Sequence, residues 1–316
     1  MLFRSACFAG AAAFLGWLAL LATTPLSLPS ESLEFSITTG SSLRSATRQM
    51  VEAGVPLVES HFNLLARLTG KGTRIKAGSY ELPQGASPWE LLRKITSGDV
   101  LLSELLFVEG WTFAQLRAAL DGNADVRHDT RGLSDAEILA RLGMPEGVAA
   151  EGMFFPDTYL FARGESDLKL LARAHRLMAK HLEEAWAQRS EGLPFSSAYE
   201  ALILASIVEK ETGDPTERPT IAGVFANRLR IGMRLQTDPT VIYGMGESYK
   251  GNIRKADLER DTPFNTYTRA GLPPHPIAMP GLAALRAAVS PAKTDALYFV
   301  ARGNGSHRSE EHTSEL

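Results

Sequence analysis

The stretch 196–219, SSAYEALILASIVEKETGDPTERP, decides how the chain is organised. Ser197 followed three residues later by Glu200 is a capping-box signature, so a helix is expected to begin there. At 100° per residue Ala198, Leu202, Ala205 and Glu209 share one stripe, flanked by Ala201 and Val208. Glu209 therefore points where a core residue belongs. Lys210 falls with Ser206 and Tyr199 on the polar arc, while Glu211 lies beside Leu204 and Ile207 in a partly apolar setting.

A carboxylate on a buried stripe must be paired, hydrogen-bonded or protonated, because burying an isolated charge costs too much. Two readings stay open at this point. Glu209 could close an internal salt bridge with Arg228 or Arg230. Alternatively the helix end opens into a cleft, where an apolar wall would raise the carboxyl to roughly pH 6 and make it an acid.

Around this helix the rest reads as an α+β protein. FSITT is strand-like, SSLRSATRQMVEAG helical, and 60–68 a further helix. TRIKAGSYELP reads as a strand, and SPWELLRKITSG as a helix with Ser87 as N-cap, Pro88 at N1, Glu90 at N3 and Gly98 past its end. Downstream, SELLFVEGWTFAQLRAAL is a strand, a Glu-Gly turn and a helix, and Ser134 and Glu137 cap another. EGMFFPDTYLF (151–161) reads as a loop wedged into the core by its aromatics. ESDLKLLARAHRLMAKHLEEAWAQR is a long amphipathic helix and VFANRLR a shorter one. MRLQTDPTVIYGMG is expected to be loop and short strand, GLPPHPIAMPG a rigid wall lining a cleft, GLAALRAAVSPA a helix and ALYFVA a strand.

The 316 residues carry 44% hydrophobic and 22% charged side chains and a net charge of -3, with a pI near 6.2. That balance argues against nucleic-acid binding, which usually shows a basic face. Cys7 is the single cysteine, and the seven histidines are scattered with no HExxH. Neither an intramolecular disulfide nor a metal site is expected, and no cofactor is called for.

No charge separates Arg4 from Glu31, and Ala6 to Ala22 is almost wholly apolar. About 17–25 such residues can span a bilayer as a helix. Arg4 before the run, and no Lys or Arg after it until Arg44, would leave the N-terminus cytoplasmic and the remainder outside. A cleaved signal peptide is the competing reading; Pro25 directly after Ala22-Thr23-Thr24 disfavours the cut. The expected layout is a membrane anchor and linker over 1–30, a small αβ module over 31–103, a mixed α+β catalytic domain over 104–305, and an atypical tail over 306–316.

Four motifs, ASIVEKET (205–212), VFANRLRIGMRLQTDPTVIYG (224–244), FNTYTRAGLPP (264–274) and EGMFFPDTY (151–159), resemble the MltG/YceG family of membrane-anchored endolytic murein transglycosylases. The resemblance implies a LysM-like module at 31–103 and places the catalytic glutamate at Glu209. It also implies that Asn227, Gln236, Asp238, Asn265 and Tyr267 line a sugar cleft; turn or capping roles are the alternative for each. The substrate implied is a peptidoglycan glycan strand at the inner membrane, with peptidoglycan synthases as neighbours.

A lytic transglycosylase needs one carboxyl, because the muramyl 6-hydroxyl is an internal nucleophile. Glu209 would protonate the glycosidic oxygen, then take the proton from O6, leaving a 1,6-anhydromuramyl end. A muramidase using Asp238 as base for water, and a non-catalytic wall-binding scaffold, are the other readings. The sequence departs from the family pattern at His275, where glycine is usual, and in GSHRSEEHTSEL at the end.

Overall fold

Helix starts and stops are written locally in this chain, and the computed structural model, which describes residues 2–301 and 307–310, honours them. Ser87, Ser134 and Ser197 each accept from the backbone N–H three residues on, while Glu90, Glu137 and Glu200 reach back to the caps. Each box satisfies donors that a helix N-terminus otherwise leaves open. Gly98 ends its helix at φ 79°, a left-handed conformation that glycine adopts without penalty.

The chain divides into two units, one comprising residues 1–104 with 160–165, the other 105–159 with 166 onward. In the first, α1 (Leu2–Thr23) precedes β1 (Ser32–Ile37), α2 (Leu43–Glu52), α3 (Glu59–Leu68), β2 (Gly78–Pro83) and α4 (Pro88–Ser97). Strands β1 and β2 pair antiparallel with Phe35 opposite Tyr80, whose rings stack at 5.5 Å. Met50, Phe62, Leu65, Leu91, Leu92 and Ile95 fill the space beneath. The end of α1 joins this core through Leu18, Leu21 and Ala22, and Trp17 meets His61 edge-on.

The side chains described in α1 are those of Ala9, Gly10 and residues 12–23. Among the described residues no helix is long and apolar enough to cross a membrane.

The chain passes between units within β3 (Leu102–Leu106) and again, out and back, over 158–166. After β3 come α5 (Phe113–Gly122), β4 (Val126–Arg127), α6 (Asp135–Arg141), β5 (Thr158–Ala162), β6 (Glu165–Ser166), α7 (Asp167–Ala187), α8 (Ala198–Glu211) and α9 (Arg218–Arg230), of which residues 160–165 belong to the first unit and the rest to the second. There follow α10 (Asp238–Met245), α11 (Lys255–Glu259), α12 (Leu282–Val289), β7 (Tyr298–Ala301) and β8 (His307–Glu310), the last two paired antiparallel. Of the tail read as atypical, 306 and 311–316 lie outside the described residues.

Helix α8 is the axle of this unit, packed by α7, α9, α10 and α12. Every residue from Ala201 to Glu209 is buried. Neighbours on all sides explain why its sequence is apolar nearly all round rather than on one stripe.

Two expectations are corrected in kind and one helix only in extent. The stretch read as a loop over 151–161 becomes a strand from Thr158. MRLQTDPTVIYGMG does not hold a strand: 238–245 is α10, with Pro239 in the first turn, where its missing N–H costs nothing. The β-branched Thr240 and Val241 suggested a strand, but both are buried on a helix instead. VFANRLR is only the later part of α9, which starts at Arg218.

Candidate active site

Glu209 ends the buried run of α8 with its side chain only 4% exposed. It is neither free nor paired with Arg228 or Arg230. Arg218, the first residue of α9, donates from Nη2 to Glu209 Oε1 at 2.7 Å. The Gly281 N–H, at the N-cap of α12, donates to Oε2 at 2.9 Å. Arg228 instead serves the backbone carbonyls of Leu297 and Leu235, and Arg230 donates to Asn227. The salt bridge thus forms with the arginine nine residues on, because the turn 212–217 folds α9 back across the end of α8.

A second carboxylate stands at this cluster. Glu109 Oε2 lies 3.6 Å from the same Arg218 Nη2, and its side chain is half-exposed. Burial is the largest influence on Glu209 and pushes its carboxyl above the usual range. The Gly281 N–H and then Arg218 pull it down, while the Glu109 charge pushes it up again. Segment 109–111 covers the group. Gly110 donates to the Met279 carbonyl and Met279 to that of Trp111, while Lys210 Nζ donates to the Gly110 carbonyl at 3.1 Å.

Lys210 also lines a cleft of about 1000 Å³ with Thr112, Gln115, Glu151, Tyr243 and His275. That is the upper end of the usual range for small-molecule sites. Glu209 itself is not part of the lining. His275 and Ile277 from the proline-rich run form one wall, and Ser206 of α8 accepts from Ile277 N–H at 3.0 Å to hold that run in place. Glu151 is 7% exposed. It accepts from Phe113 N–H at 2.9 Å and from the Tyr243 hydroxyl at 3.1 Å. Burial outweighs both bonds and raises its carboxyl to about 7.

The five polar residues implied by resemblance fall into two groups. Asn227 Nδ2 donates to the carbonyls of Thr294 and Ala296. Asn265, 1% exposed, donates to three carbonyls in 257–260 and accepts from Tyr267 N–H. Both amides are spent inside the protein. Asp238 and Tyr267 meet directly, hydroxyl to carboxylate at 2.6 Å, and exposed Gln236 precedes them at φ 49°. Thr237, between Gln236 and Asp238, donates its hydroxyl to Glu211, so this polar edge adjoins the end of α8. No contact joins Asp238 to Glu209 among the described residues.

Arg218, Glu109, Gly281 and Glu151 were not singled out from the sequence. Glu109 and Gly281 carried a faint signal, since Glu109 sits in a turn before an expected helix and Gly281 opens another. Arg218 and Glu151 carried none, because Arg218 lies ahead of the helix expected at 224–230 and the role of Glu151 depends on chain segments distant in sequence.

The model of the YceG-like family matches residues 35–315. The chain belongs to the YceG-like family. It is 31% identical over 297 residues to a Bacillus subtilis (strain 168) protein named endolytic murein transglycosylase, covering 87% of this chain and 80% of that one. A Streptococcus pneumoniae protein of the same name is 32% identical over 263 residues, 72% of this chain. The chain spans 47% of that longer relative. A crystal structure of a yceG-like protein from Listeria monocytogenes is 27% identical with a TM-score of 0.55, covering 90% of this chain and 97% of that one. Among the described residues no cluster of metal ligands occurs.

Proposed function

We propose that this chain is an endolytic peptidoglycan lytic transglycosylase that cuts the β-1,4 bond between N-acetylmuramic acid and N-acetylglucosamine. The observation that carries the reading is Glu209: a carboxyl at the tip of a buried helix, biased toward its protonated form and held by one backbone N–H and one guanidinium. The names of the two relatives support the same chemistry. Glu209 donates its proton to the glycosidic oxygen as the bond breaks, then accepts the proton of the muramyl 6-hydroxyl as O6 attacks C1. The leaving sugar departs as an alcohol and the retained sugar closes as a 1,6-anhydro ring. The proton count balances with no water consumed.

A hydrolytic reading gains one specific support, the second carboxyl at Glu109; Asp238, bound to Tyr267, is not that group. Both glutamates reach one nitrogen, at 2.7 and 3.6 Å. This holds them closer than the roughly 6.5–9.5 Å an inverting hydrolase leaves for its water. Mass spectrometry of products from defined glycan strands decides: anhydro ends support the transglycosylase, and reducing ends would replace it with a hydrolase.

Several finer features belong to the same proposal. The apolar run Ala6–Ala22 supports an inner-membrane anchor with the remainder outside the cytoplasm. The helix pair α2 and α3 between the two paired strands β1 and β2, with α4 after them, supports a LysM-like, glycan-binding role for 31–103. An anchored enzyme reaches only strands near the bilayer, which favours nascent glycan and synthase neighbours. Replacing residues 1–25 with a cleavable signal should lengthen strands in cells; unchanged lengths would remove this part.

A further inference from the structure

Arg218 is placed between two acids and satisfied by neither alone. Its side chain is 5% exposed. One nitrogen, Nη2, serves Glu209 at 2.7 Å and faces Glu109 at 3.6 Å, while Nε is buried with no hydrogen-bond partner. A buried donor left unpaired costs about 1–3 kcal/mol, so the guanidinium gains a bond if it turns toward a second acceptor. Glu109 is the acceptor on hand. Its carboxylate occupies the space over Gly281, where any Cβ would overlap Glu109 Oε1 and Cδ. Gly281 has an ordinary φ of -79°, so what keeps the position clear is room for Glu109 rather than backbone conformation.

On the transglycosylase reading the guanidinium works against the first step, because it favours the ionised form of a donor that burial biases toward its protonated one. We propose that Glu109 is a positioning residue that draws Arg218 away from Glu209, leaving the proton on Glu209 when the glycosidic oxygen arrives. The charges acting on Glu209 are Arg218 from α9, Glu109 from the loop before α5, and Lys210 from α8 itself. From α12 the group that reaches it is the neutral Gly281 N–H. Glu109 is the negative member of this set and the half-exposed one, so it is the member that solvent reaches.

The test is the basic limb of the kcat/KM profile on glycan strands, where the donor loses its proton. Glu109→Gln should move that limb down by about half to one pH unit, with kcat falling more than KM changes. Glu109→Asp, which keeps the charge, should restore most of the shift. Gly281→Ala keeps the N–H on Glu209 but evicts the Glu109 carboxylate, and should reproduce the Glu109→Gln limb. An unmoved limb in both variants overturns the proposal. Carbon-13 NMR titration of the Glu209 carboxyl, assigned with Glu209→Gln, covers the case of inactive variants: its midpoint must fall in Glu109→Gln, and an unchanged midpoint overturns the assignment. Wild-type protein that leaves glycan uncut would sink the transglycosylase reading, yet the same titration would still decide how Glu109 acts on Glu209.

Discussion

Arg218 Nη2 bonds Glu209 Oε1 at 2.7 Å with the two side chains 5% and 4% exposed, a buried ion pair linking the start of α9 to the end of α8. Such pairs contribute little against an apolar replacement of both partners, but losing one partner strands a charge. Arg218→Met is therefore expected to cost about 3–5 kcal/mol at pH 8. Near pH 4 Glu209 is protonated and no longer needs the cation, so most of the loss should disappear. Thermal denaturation of variant and wild type across that range checks the claim; a pH-independent loss would mean the arginine matters only as packing.

Glu209→Gln removes the titrating proton while keeping the shape and an acceptor for Gly281 N–H. Strand cleavage should fall by about 10²–10⁴, the usual contribution of a general acid–base group. The circular dichroism spectrum should be unchanged. Product release measured by mass spectrometry at fixed protein concentration is the readout.

Glu151 gives a stability profile of definite sign. Its folded value is raised from 4.5 to about 7, so the folded state holds that proton more tightly than the unfolded chain does. Stability is then lost as pH rises from about 4.5 to about 7, by roughly 3 kcal/mol for this group. Glu151→Gln should flatten that part of the curve. The variant should match wild type near pH 4 and melt higher than wild type at pH 8.

Asn265 separates a binding role from a structural one. Removing its amide leaves the carbonyls of Asp257, Leu258 and Arg260 and the N–H of Tyr267 without their partner. Asn265→Ala should cost about 2–3 kcal/mol in urea denaturation. Its folded fraction should retain a wild-type KM. Tyr267→Phe, which frees Asp238 from its hydroxyl partner, should leave stability within about 1 kcal/mol and show its effect in KM.

What the sequence determined by itself was whatever nearest neighbours along the chain control. Ser197 with Glu200, and Ser87 with Pro88, Glu90 and Gly98, set helix ends because a cap bonds groups three residues away. The periodicity of 198–211 put Glu209 on a buried stripe because a helix repeats every 3.6 residues. Local preference failed at 238–245, where β-branched residues sit in a helix because burial against α8 outweighs propensity. Only the tertiary structure decided which cation meets Glu209, that Glu109 stands beside it, and that Glu151 lies buried at a cleft. Those outcomes depend on how 109–111, 218 and 279–281 converge on one helix tip, and no spacing rule reaches across 172 positions from Glu109 to Gly281.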